Sequence, residues 1–168
     1  MRHRRDNLTK SAGSIFQRQR SLTPSQLVTV ATRRFEDARA LCDTGKNAHA
    51  NGAQYLCGFV VELLLKAHLV RQYAATANRP AHDVREAERM IWSLIYRSHD
   101  LEEMLSRLPQ VQAMVIKREE REGRPYWSHL RGLCSEWTIY ARYSTQTSQL
   151  SAAREMLRRV RELKEILK

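Results

Sequence analysis

Between Gly52 and Val70 the chain reads GAQYLCGFVVELLLKAHLV, apolar around the whole circumference of a helix except at a few positions. A helix on a protein surface carries an apolar stripe and a polar face; one lacking the polar face has to be enclosed by other elements. The pattern predicts a central helix from about Asn47 to Tyr73. Its interruptions, Gln54, Gly58, Glu62 and Lys66, recur at i, i+4 and so form one ridge. A carboxylate inside such a helix needs a partner, because breaking a buried ion pair costs about 3–5 kcal/mol. Lys66, one turn after Glu62 and in the favourable order, is the obvious one. This polar ridge either staples the fold or points at a function.

The same reading finds further helices on either side. Ser21 or Thr23 caps the first, with Pro24 in its opening turn and Gly45 as its stop. Its apolar positions are Leu27, Val30 or Ala31, Phe35, Ala38 and Leu41. After a break at 76–80, an amphipathic helix is predicted by Val84, Ala87, Ile91, Leu94 and Ile95. A short helix follows from Ser98 to Leu105, with an acidic first turn. His99 and Asp100 stand at its start, as a cap with a hydrogen-bonded imidazole or as a proton-transfer pair. Pro109 restarts the chain, Lys117–Glu122 reads as a solvated charge run, and Gly123 closes that helix. Pro125 opens the next, expected to continue through Trp127, Leu130, Leu133, Cys134, Trp137 and Tyr140 to Arg142 and Tyr143. Beyond a polar turn at 144–148, Gln149–Lys168 carries an apolar stripe with a basic strip of Arg154, Arg158 and Arg161 beside it. Period-two apolar runs are hard to find, so the fold is predicted to be all-α, with four to five main helices and a short extra one.

The 168 residues suffice for one domain with a real core. Residues 1–20 read as a flexible basic arm and 21–168 as the helical domain. The net charge of +11 is concentrated at the ends, +5 in Met1–Arg20 and +5 in Arg124–Lys168. Basic ends around a nearly neutral middle suggest a polyanionic partner; the alternative is solvated helix faces and a basic tail. Cys42, Cys57 and Cys134 form no C-x-x-C pair, and Cys57 and Cys134 read as buried small hydrophobes. No signal-peptide pattern opens the chain, and Glu62, Lys66 and Arg71 argue against a membrane span, so the expected location is cytoplasmic. His49 and His68 lack neighbours at metal-ligand spacing, and there is no phosphate-binding glycine loop or nucleophile elbow. No metal or cofactor is expected.

Three separated pieces stand in a fixed order: Ala53–Leu56 with Val61–Ala67, then His99-Asp100-Leu101, then Trp137 through Arg142-Tyr143-Ser144 before a final helix. Together they resemble the HEPN (higher eukaryotes and prokaryotes nucleotide-binding) domain. That family's pattern has Glu-x-x-Leu-Lys-Ala ending a helix, a His-Asp-Leu turn and an Arg-Tyr closing a later helix. The resemblance covers about Ser21 to Lys168. It implies a helical bundle, often a homodimer, that acts on RNA or a nucleotide, in some members beside a nucleotidyltransferase-type partner. Other members are metal-independent RNases of toxin–antitoxin or antiviral systems, with an Arg-x(4–6)-His motif. Here the match is Arg124 to His129, with Pro125 where the family has a small polar residue.

The leading expectation is a HEPN-like nucleic-acid- or nucleotide-binding protein of a toxin–antitoxin or defence module. Arg142, Tyr143, Arg154, Arg158 and Arg161 are its candidate contacts, and Glu62, Lys66, His99 and Asp100 its structural ridge. The alternatives are an active endoribonuclease using Arg124 and His129, and a non-catalytic scaffold for an acidic protein. Trp127, Trp137, Tyr140 and Tyr143 lie among arginines, which suits base stacking as well as core or dimer contacts.

Overall fold

The computed structural model describes residues 22–168, and the expected basic arm lies outside the described residues. These fold into α1 (Pro24–Asp43), α2 (Ala50–Gln72), α3 (Ala74–Ala77), α4 (Glu86–Tyr96), α5 (Leu101–Ser106), α6 (Pro109–Glu122), α7 (Tyr126–Glu136) and α8 (Leu150–Leu167). Short 3-10 turns occupy Asn47–His49, Ala81–Asp83 and Ile139–Tyr143, and no strand occurs among the described residues. The described residues are all-helical in class. Among the described residues, six helices of eleven residues or more stand where four to five are expected. Segment 109–122 is a main helix of its own, opened by Pro109 and closed by Gly123 in the left-handed region at φ 63°.

Local chemistry sets most helix ends. Thr23 and Gln26 form a reciprocal capping box at α1, Thr23 Oγ1 accepting from the Gln26 N–H and Gln26 Oε1 from the Thr23 N–H. Asp100 Oδ1 accepts the Glu103 N–H at 2.9 Å and starts α5. No side chain of α7's own N-terminus caps it, and the charge run of α6 does so instead. Glu119 accepts the Trp127 N–H at 2.7 Å, and Glu122 accepts the Tyr126 hydroxyl at 2.7 Å. The Lys117–Glu122 run is therefore only partly a solvated face.

Helix α2 is the axis of the molecule. Residues 60–67 are buried without interruption, over more than two turns and hence on every side. By length and composition Asn47–Gln72 could cross a membrane, but 78% of its most apolar stretch is buried inside the protein. Helix α1 packs along it through Leu27, Ala31, Phe35, Ala38 and Cys42. Helix α8 packs on it through Ala153, Leu157, Val160, Leu163 and Leu167. At the far end of α8, His68 Nε2–H donates to the Leu167 carbonyl at 3.0 Å, satisfying a terminal acceptor. Lys164 is buried with its ammonium 4.9 Å above the Phe35 ring. All three cysteines are free and buried. Burial pushes the Cys57 and Cys134 thiols up to about 12, so neither is a nucleophile.

One expected helix is broken. Helix α7 ends at Glu136; Trp137 and Thr138 are extended, and Ile139–Tyr143 is a 3-10 turn. The apolar spacing would carry the helix through Tyr140, but the indole of Trp137 is drawn to α2. It is only 8% exposed, its Nε1–H donates to the Tyr55 carbonyl at 3.2 Å, and its ring lies over Gly58. Of the stacking, core and dimer roles open to Trp137, its ring takes a core position in its own chain.

Candidate functional site

The ridge Gln54, Gly58, Glu62 and Lys66 has a different task at each position. Glu62 is 1% exposed, and its carboxylate meets the Lys66 ammonium at 2.8 Å. Both of its oxygens also lie 3.0 Å from His99 Nδ1, which donates to them from the turn before α5. The buried charge is thus paired and hydrogen-bonded, as such a group requires. Asp100 is occupied as the α5 cap, and the cluster fastens α5 to the core helix. Gly58 makes room for Trp137, since a Cβ there would stand 2.0 Å from the indole Cδ1.

Gln54 opens onto a cavity of about 850 Å³. Its floor is the first half of α2, with Asn51, Gln54 and Tyr55. One wall is the α7 face of Ser128, His129, Gly132, Leu133 and Glu136, and the opposite wall is the α8 face of Ala152, Glu155, Met156 and Arg159. The segment from Trp137 to Ser148 roofs it. Tyr55 and Trp137 pack at 5.9 Å between ring centroids, and Tyr140 stands at the rim, 72% exposed.

Two asparagines at the start of the core helix hold the roof down. The Asn51 amide donates to the Gln146 carbonyl at 2.6 Å and accepts the Ser148 N–H at 2.8 Å. Asn47 accepts the Leu150 N–H at 2.9 Å, supplying the N-terminal cap that α8 lacks locally, and reaches Gln149 at 3.4 Å. Neither residue stands out in the sequence, because an asparagine near a helix start reads as a cap of its own helix.

The basic residues are dispersed. Arg124 pairs with Glu162 at 2.9 Å and lines a second, smaller cavity with Arg118, Glu122 and Tyr126. His129 lines the large one. Arg124 and His129 thus line different cavities, although the charge of Glu162, the partner of Arg124, also acts on His129. Of the expected strip, Arg154 reaches the Cys42 carbonyl at 3.4 Å, Arg158 is held by Glu155 and Glu162, and Arg161 is exposed. None of the three lines the large cavity; Arg159, which the sequence did not single out, does. Its Nε–H donates to Glu155 at 2.8 Å. Arg142 lies in the 3-10 turn, and its side chain is outside the described residues; Tyr143 is 67% exposed. No group of three His, Cys, Asp or Glu side chains suited to a metal ion occurs among the described residues.

His129 has a buried Nδ1 without a hydrogen-bond partner. Burial, with Arg159 and Arg158 adding to it, holds its pKa below the ordinary histidine value. His68 is lowered as well, mainly by burial, against the opposing Leu167 hydrogen bond. Both therefore favour the neutral form when folded. As the pH falls below about 6.5, the unfolded chain takes up these protons first. The stability contribution is complete above that value and is lost as pH falls toward the folded values. Urea midpoints should drop between pH 7.5 and 5.5, and His129→Gln should flatten part of the drop. A midpoint that climbs on acidification across this window contradicts the assignment.

No protein-family model, curated protein or solved structure matches this chain.

Proposed function

We propose that the protein binds RNA or a nucleotide in the cavity between α2, α7 and α8, as a HEPN-like binding module. The observation that carries this reading is the cavity's lining. Tyr55, Trp137 and Tyr140 lie beside Arg159 and the unpartnered His129, within a volume of about 850 Å³. Aromatic surface with a few convergent polar groups in a cleft of this size suits a small ligand, and aromatic–arginine rims suit unstacked bases. The net charge of +11 supports a polyanion. The HEPN resemblance adds the setting: a homodimer in the cytoplasm, serving a toxin–antitoxin or defence module beside a nucleotidyltransferase-type partner.

Fluorescence anisotropy with a short single-stranded RNA tests this. Binding should weaken steeply with salt as counterions are released. Tyr140→Ala and Arg159→Ala should each cost about 1–3 kcal/mol, roughly 5- to 150-fold in affinity. Removal of residues 1–20 should reduce the salt slope. RNA binding that is absent at low salt, or unchanged in both point variants, removes the cavity from consideration. Cleavage through Arg124 and His129 needs both side chains on one phosphate; Arg124 is paired with Glu162, whose charge also acts on His129, so such a site requires that pair to open.

A further inference from the structure

The two carboxylates in the cavity wall differ in what they have left to offer. Glu155 on α8 is tied to Arg158 and to Arg159 at 2.8 Å each. Glu136, at the end of α7, enters none of the hydrogen bonds or ion pairs among the described residues. Gly132, one turn earlier, leaves its carboxylate room; a Cβ there would sit 4.0 Å from Glu136 Oε1.

An ionised carboxylate only accepts hydrogen bonds, so Glu136 selects donors and repels anions. The anionic part of a ligand must then lie toward the other wall. There Arg159 has given only its Nε–H to Glu155, and both terminal amino groups stay unengaged. A nucleotide meets both demands at once. Its phosphate and its two vicinal hydroxyls leave opposite sides of the sugar, and paired hydroxyls match the two oxygens of a carboxylate. The exposed ring of Tyr140 offers a stacking face at the rim, and a base placed there would leave the sugar to reach the wall.

We propose that the cavity selects ribonucleotides over deoxyribonucleotides, with Glu136 accepting the ribose hydroxyls, Arg159 holding the phosphate and Tyr140 stacking on the base. This rests on the reading of the cavity as a nucleotide site. A deoxyribose removes one of the two donors and leaves carboxylate lone pairs unmatched. The 2′-hydroxyl is the group by which a protein tells RNA from DNA.

The test titrates the full chain with AMP, dAMP, hexa-riboadenylate and hexa-deoxyadenylate at one salt concentration. A ribo preference of about tenfold is expected, equivalent to 1.4 kcal/mol. If AMP shows it, the ligand is a free nucleotide; if the hexamers alone show it, the ligand is the 3′-terminal nucleotide of a strand, the only one whose two hydroxyls are both free. Glu136→Gln should bring the preference within about twofold, because the amide presents a donor toward the hydroxyls. Arg159→Ala should weaken ribo and deoxy forms alike. Helicity and urea midpoints of both surface variants should match the parent chain. Equal binding of ribo and deoxy forms, or a preference that survives Glu136→Gln, overturns this inference while the nucleotide reading stands. Failure of all four ligands to bind overturns both.

Discussion

Replacing Glu62 by alanine should lower the unfolding free energy by about 3–5 kcal/mol, the largest effect expected of any single polar substitution in this chain. The carboxylate is 1% exposed and serves Lys66 and His99 together. Its loss leaves the Lys66 ammonium, itself only 9% exposed, without a counter-charge. Glutamine should cost less than alanine, since it keeps an acceptor for His99 and Lys66 but not the charge. Changing Glu62 and Lys66 together to leucine and methionine should recover much of the loss, because well-packed apolar pairs often equal buried ion pairs. Chemical denaturation of the four proteins measures this order. An alanine variant within about 1 kcal/mol of the parent would mean that water reaches the carboxylate.

Gly58→Ala should be nearly as damaging, although alanine is the better helix former by about 1 kcal/mol. The added Cβ would lie 2.0 to 2.2 Å from three atoms of the Trp137 ring, so the indole has to leave its slot. Losing the packing of a buried tryptophan costs about 3–5 kcal/mol, which outweighs the propensity gain. A net loss of roughly 2–4 kcal/mol follows. The fluorescence of Trp137 should shift to the red, and the proposed nucleotide binding should fall with it because the roof begins at this residue. In a Trp137→Leu background the same substitution should cost much less, giving a coupling energy in a double-mutant cycle. Additive costs would show that the clash is relieved without moving the ring.

Both predictions concern a ridge already visible as i, i+4 interruptions in an apolar helix, and the pairing of Glu62 with Lys66 follows from that spacing. The helix ends at Thr23, Asp100 and Gly123 were legible for the same reason: their chemistry acts within four residues. What escaped the sequence acts at long range. His99 joins Glu62 from 37 residues away, and Asn51 binds the Gln146 carbonyl from 95. The break after Glu136 is invisible locally, because the apolar spacing that fills α7 continues past it. Only the vacancy at Gly58, on another helix, decides where Trp137 turns. Of the expected basic strip on α8, Arg158 is engaged by Glu155 and Glu162 and Arg154 by the end of α1, which leaves Arg161 exposed. Arg159 lies farther round the same helix, and the position of α7 makes it a cavity residue.

The asparagine clamp has a consequence for affinity that involves no contact with a ligand. Fixing the backbone of one residue costs roughly 1–2 kcal/mol of conformational entropy, and the roof spans about a dozen residues. Asn47 and Asn51, with Trp137 at the other end, hold that segment in place as the protein folds. A ligand entering the cavity meets a surface whose disorder has already been removed, so little of its binding energy goes into ordering the site. Two amides at the start of the core helix thereby prepay the ordering of the proposed site near the opposite end of the sequence.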